Sequence, residues 1–228
     1  VGSEMCIRDR LGPVWIDIPL DIQGSKIDPD TLEGYMPTEQ PDYAPKQADI
    51  DVIVEKLKTA KRPVIYAGNG IRIADAYPEF SQLVEVLQIP VVTAWNSIDL
   101  MATEDSCYAG RGGTMGDRAG NFAVQNSDFL LSLACRLNLY QSGYDVKTWA
   151  RAAYTVVVDI DPYELKKPTI RVDKPVCCDV KQLMVRLTES WQKQGAATDC
   201  EAWKKQCQIW KKKYPVAQSK HYLSLIHI

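Results

Sequence analysis

With 228 residues, 46% hydrophobic and 25% charged, the chain has room for one large domain and the composition of an ordinary soluble globular protein. A net charge of −2 without a long basic block argues against a nucleic-acid binder. No apolar run approaches a membrane span and no secretory signal is evident, so no membrane partner is expected. Seven cysteines without C-x-x-C spacing, two of them adjacent (Cys177 and Cys178), read as reduced thiols in a cytoplasmic protein, not a disulfide framework or zinc site.

The first ten residues, VGSEMCIRDR, and the last six, LSLIHI, resemble translated sequencing-adapter sequence, so residues 1–10 and 223–228 are expected to be non-native and the chain to be an internal fragment. Leu11 to Leu20 alternates Val14, Ile16 and Ile18 and reads as a strand outside the main sheet. Asp21 to Ala48 is rich in Pro, Asp, Gly and Gln and reads as a surface linker. Ile50, Ile53, Val54, Leu57 and Ala60 follow a helical period, with Asp49 as the expected cap.

Val64 to Ala67 is a short apolar run suited to a strand covered on both faces. The turn Gly68-Asn69-Gly70 follows, expected to use φ > 0 and to leave N–H groups facing a ligand. Tyr77 to Leu87 is helical, Val91 to Thr93 a strand, and Asp99 to Asp117 a polar loop containing Gly110-Arg111-Gly112-Gly113. A short helix over Ala119 to Asn126 leads to strands at Phe129 to Leu133, Thr155 to Ile160 and Val176 to Cys178. Val180 to Trp191 is an amphipathic helix, and Thr198 or Asp199 is expected to cap a last, Lys-rich helix carrying Trp203 and Trp210.

This alternation predicts an α/β fold, an open parallel sheet of five or six strands with helices on both faces, spanning about residues 61 to 180. In such a sheet ligands bind at the carboxyl ends of the strands. The candidates there are Gly68, Asn69 and Gly70, Trp95 and Asn96, Gly110, Arg111, Gly112 and Gly113, Arg136, Asp159, and Asp179. Taken alone Asp159 reads as a turn or cap residue; the convergence on one edge points to a nucleotide site.

Several segments carry a family resemblance. GPVWIDIPLDIQG (Gly12 to Gly24), RPVIYAGNGI, IPVVTAW, NFAVQNSDFLLSLACRL and VVVDIDPYELKKP resemble, in order, parts of the thiamine pyrophosphate-dependent enzymes, nearest the acetolactate synthase large subunit group. The resemblance implies this domain map: the end of a pyrimidine-binding domain at 11–24, a linker at 25–47, a Rossmann-like central domain at 48–192 that binds FAD, and a helical linker at 193–222. It carries the flavin contacts onto Gly68, Asn69, Gly70, Trp95, Asn96, Gly110, Arg111, Gly112, Arg136, Asn138, Asp159 and Asp179.

Two departures stand out. The family's usual G-x-R-F-D-D-R reads Ala134-Cys135-Arg136-Leu137-Asn138-Leu139-Tyr140, and its G-M-H-G reads Gly110-Arg111-Gly112-Gly113. Flavin with altered contacts, adenosine diphosphate in its place and an empty site all stay open. Thiamine pyrophosphate and Mg²⁺ would be held by a glutamate and a G-D-G…N motif outside this chain, so no catalytic or metal residue is expected here.

The implied parent is a homodimer or homotetramer that decarboxylates a 2-oxo acid and joins the remainder to a second carbonyl, as in branched-chain amino acid biosynthesis. The alternatives are a related carboligase acting on a nucleotide-activated sugar and a non-catalytic nucleotide-binding module. A sirtuin-like NAD-dependent deacylase needs a catalytic histidine and a four-cysteine zinc module, which this sequence lacks.

Overall fold

The computed structural model describes residues 15–32 and 42–218. The chain divides after Asp42 into two compact units, Val1–Asp42 and Tyr43–Ile228. In the first, residues 15–19 form no strand, and Leu20–Gln23 makes one helical turn, α1, with no buried residue. Pro19 explains the change: it ends the extended run and, as N-cap, leads into the turn. Residues 11–14 of the expected strand lie outside the described residues, as do both adapter-like ends.

The second unit is built on a six-stranded, all-parallel sheet in the order β3-β2-β1-β4-β5-β6. The strands are β1 (Pro63–Ala67), β2 (Val91–Thr93), β3 (Tyr108–Arg111), β4 (Phe129–Leu133), β5 (Tyr154–Asp159) and β6 (Lys174–Cys177). β1 and β4 are buried at every residue, as strands covered on both faces must be. Their pairing runs from Pro63↔Phe129 to Ala67↔Leu133.

The helices are α2 (Gln47–Thr59), α3 (Gly70–Ile73), α4 (Tyr77–Leu87), α5 (Arg118–Asn126), α6 (Leu139–Ser142), α7 (Pro162–Leu165), α8 (Val180–Lys193) and α9 (Glu201–Lys213). α8 packs on α2 and α4, while α5 packs with α9 against the β3 side of the sheet. The apolar stripes Ile50, Ile53, Val54, Leu57 of α2 and Leu183, Met184, Leu187, Trp191 of α8 supply the first layer.

Three local expectations are corrected. α2 starts at Gln47 with Lys46 as N-cap, so Asp49 lies inside its first turn, where a carboxylate favours the helix dipole. Asp49 also pairs with Lys174 at 2.7 Å. α9 has Cys200 as N-cap with no side-chain bond, so neither Thr198 nor Asp199 caps it; the Asp199 carboxylate instead accepts from Lys61 at 2.8 Å. The loop Asp99 to Asp117 contains a 3₁₀ turn, Ile98–Leu100, and the edge strand β3.

α9 presents its Lys-rich face outward and buries the other. Trp203 and Cys207 are buried, and Trp203 Nε1 donates to the Pro63 carbonyl at 3.1 Å. Gln208 Nε2 donates to the carbonyls of Ser106 at 2.7 Å and Tyr108 at 3.1 Å, and Lys211 Nζ donates to the Tyr108 carbonyl at 2.9 Å. Gln208 and Lys211 thus satisfy the Tyr108 carbonyl at the start of β3 and the Ser106 carbonyl just before it, so α9 covers the start of that edge strand.

Candidate functional site

In this strand order the chain reverses direction across the sheet between β1 and β4, so the switch point lies where Gly68–Gly70 and Ala134–Asn138 emerge. The two loops are in backbone contact. A Cβ on Gly68 would sit 2.2 Å from the Ala134 carbonyl oxygen and 2.4 Å from Cys135 Cα; one on Gly70 would sit 2.6 Å from Ala134 Cβ. The glycines are therefore needed for close approach. Neither has a positive φ, and Asn69 has φ −67°, which corrects the expected left-handed turn.

The expected free N–H groups are also corrected. Gly68 N–H donates to the Leu133 carbonyl at 2.9 Å and Gly70 N–H to the Ala134 carbonyl at 3.2 Å. The loop after β4 takes the strain instead: Ala134 and Leu137 both have φ +47°. Between them Cys135 is buried, and burial pushes its thiol up to about 12.

The remaining candidates also lie at or just beyond the strands' carboxyl ends, and several are held by the protein. Arg111 N–H donates to Asp117 Oδ2 at 3.0 Å, while its guanidinium donates to Oδ1 through Nε at 3.0 Å and Nη2 at 2.7 Å. That hydrogen-bonded pair raises the Arg111 pKa. Asn138 caps α6 in a reciprocal box with Gln141, and Asp179 caps α8 by accepting from Gln182 N–H at 2.9 Å. Asp159 ends β5, nearly buried, and accepts from Asp161 N–H at 2.9 Å; Asp161 in turn caps α7.

Arg136 is half-exposed and pairs through Nε with Glu164 at 3.2 Å; Lys167 bonds both Glu164 and the Arg136 carbonyl. Trp95 and Asn96 follow β2 and are exposed. Trp95, Asn96 and Arg136 are thus exposed candidates, after β2 and β4, while Arg111, Asn138 and Asp179 are engaged by hydrogen bonds within the protein.

Loops after β3 and β4 meet although β2 and β1 lie between those strands. Thr114 N–H donates to the Tyr140 carbonyl at 2.7 Å, and a Cβ on Gly113 (φ +99°) would lie 2.3 Å from the same oxygen. Gly113 is further held by Asn121, which accepts from its N–H at 2.8 Å and donates to its carbonyl at 2.9 Å. Gly110, with φ +122°, turns the chain into this strap. Beneath it lies Tyr66, a residue that reading by strand pattern assigned only to the core. Its one signal in the sequence is a phenol in an otherwise aliphatic buried strand.

The sheet order and the edge together define the class: a doubly wound, Rossmann-like α/β domain. The chain belongs to the thiamine pyrophosphate enzymes, whose central domain matches residues 50–187. It is 32% identical over 204 residues to the acetolactate synthase large subunit of Corynebacterium glutamicum, covering 88% of this chain and 32% of that protein. A probable acetolactate synthase large subunit of Methanococcus aeolicus is 34% identical over 189 residues, covering 79% of this chain and 31% of that protein. Acetolactate synthase isozyme 2 large subunit of Escherichia coli is 30% identical over 164 residues, covering 72% and 29%. The chain thus spans about a third of the length of these relatives.

Proposed function

We propose that this chain is the central domain of an acetolactate synthase-like enzyme that decarboxylates a 2-oxo acid and joins the product to a second carbonyl compound. The observation that carries this reading is the run of acetolactate synthase large subunits among its relatives, aligned over most of the chain. Bound thiamine pyrophosphate supplies the electron sink for such chemistry. The residues here do not fit that group or its Mg²⁺. Among the described residues no group of three or more His, Cys, Asp or Glu side chains is placed to hold a metal ion. Gly116-Asp117-Arg118, the nearest approach to G-D-G, has its carboxylate bound to Arg111. The role of this domain is to bind, orient and brace.

The ligand proposed for its carboxyl edge is FAD. Trp95 offers a ring face, Asn96 an amide and Arg136 a cation for a phosphate, and Asp159 stands where an acid at a strand end accepts from a ribose hydroxyl. The six free cysteines among the described residues support a reducing, cytoplasmic setting, and no described helix is long and apolar enough to cross a membrane. The proposed assembly is a homodimer or homotetramer.

The test is an assay of the full-length protein with pyruvate, thiamine pyrophosphate and Mg²⁺, beside the 228-residue chain. Carbon dioxide and acetolactate are expected from the former and none above the cofactor background from the latter; release by the short chain overturns the assignment. Flavin content after purification tests the cofactor. Asp159→Ala should weaken flavin binding by about 1.5–3 kcal/mol, as for a charge-assisted hydrogen bond; unchanged affinity rejects the role of Asp159 alone.

A further inference from the structure

Tyr66 is the penultimate residue of β1, fully buried, next to the switch point. Its ring meets Trp149 edge-on, with centroids 6.2 Å apart. Its hydroxyl has no hydrogen-bond partner among the described residues. A phenol in a core normally finds one, because burying a hydroxyl without a bond costs about 1–3 kcal/mol. A sequence that wanted only volume here had Phe available, which fills the same space without that cost.

The surroundings show where the hydroxyl points. A Cβ on Gly112 would fall 2.5 Å from Tyr66 Oη, so the strap between β3 and α5 passes directly over it. Gly112 cannot satisfy it with its own N–H, which donates to the Thr93 carbonyl at 3.0 Å. The registered neighbour of Tyr66 on β4 is Ser132, whose hydroxyl is likewise buried and unpartnered. Two unpaired hydroxyls on adjacent central strands, facing the same side of the sheet, mark a polar spot in an apolar layer. Burial, and after it the neighbouring Cys135, keep the phenol protonated well above its ordinary range, so it stays a donor at working pH.

We infer that Tyr66 is a ligand-binding residue: its O–H donates to an oxygen of the nucleotide proposed for this edge, reached when the Gly112–Thr114 strap lifts from Tyr140. The strap is suited to that movement. Its tip, Thr114 and Met115, is exposed, and it is joined to the β4 side by the Thr114 bonds to a single carbonyl, that of Tyr140. Opening also parts Gly112 N–H from the Thr93 carbonyl and Gly113 from Asn121, while Arg111–Asp117 holds the base. In the closed form the hydroxyl is left unsatisfied; ligand entry removes that cost and so favours the open form.

This inference rests on the nucleotide reading, and the experiment separates the two. Full-length enzyme and its Tyr66→Phe variant are stripped of flavin and titrated with FAD by fluorescence and with adenosine diphosphate by calorimetry. The variant is expected to bind at least one of them about five- to tenfold more weakly, the loss of one hydrogen bond, while its ligand-free form melts no lower than the parent. Loss for both ligands places the contact in the adenosine diphosphate half, and loss for FAD alone places it in the flavin half. Equal affinities in parent and variant, with parent binding intact, overturn the role of Tyr66 and leave the nucleotide site standing. Failure of the parent to bind either ligand removes both.

Discussion

Gly68 and Ala134 meet at the switch point, and each has the side chain the other permits. A methyl group at Gly68 would run into the Ala134 carbonyl and the Cys135 backbone, atoms that cannot turn aside as a side-chain tip can. Gly68→Ala should therefore cost about 3 kcal/mol, at the upper end of overpacking, read as a lower denaturant midpoint at unchanged slope. Ala134 is the opposite case: an L-residue held at φ +47°, a conformation glycine adopts freely. Ala134→Gly should raise stability by about 0.5–1 kcal/mol, the relief of the left-handed backbone less the added flexibility of the unfolded chain. A fall in stability would show that the Ala134 methyl, which faces Gly70, contributes more by packing than its backbone costs.

At the scale of the element, what could be read from the sequence follows the strength of the local pattern. β1, β4 and β5 are apolar runs bounded by Gly, Pro, Asp or Ser, and the sequence locates each to within a residue. β3, YAGR, has one large residue, a glycine and a charge, and only its pairing with β2 and its cover by α9 make it a strand. Site roles divide the same way. That the candidates lie along the carboxyl edge follows from parallel topology, which alternation of strand and helix announces. That Asn138 and Asp179 cap helices, and that Arg111 is tied to Asp117, depends on where each side chain finds its nearest partner in three dimensions.

The same element supplies a prediction. Trp203 fixes α9 by both volume and a bond to Pro63. Trp203→Phe should cost about 1 kcal/mol for the bond, and Trp203→Ala about 3–5 kcal/mol with the cavity added. If the alanine variant were as stable as the parent, the edge cover ascribed to α9 would be wrong; if it aggregates through β3, the cover is its function.

For the molecule as a whole, the buried thiols set its alkaline limit. Burial raises Cys135, Cys178 and Cys207 from 9.0 to about 12. Their unfolded thiols ionise near 9, so above that pH the unfolded chain binds fewer protons than the folded one, and stability falls as pH rises. The contribution is fully present below about pH 9 and lost progressively by about pH 12. Urea midpoints measured from pH 8 to 11 should decline, and Cys135→Ala should make the decline shallower; an equal slope in the variant rejects the thiol account.

The β1–β4 seam has a temporal side. Every pairing in the sheet is parallel, so none closes through a local hairpin, and β1 waits for residues 129–133 before its second edge is filled. On a ribosome the first half, with β1, β2 and β3, emerges while the apolar run Val64-Ile65-Tyr66 still presents an open flank. A chain ending at Asn126 should accordingly bind a holdase chaperone or precipitate, and recover when 127–218 is supplied in trans. A strand buried at every residue in the finished molecule is thus one in need of a guardian while the molecule is being made.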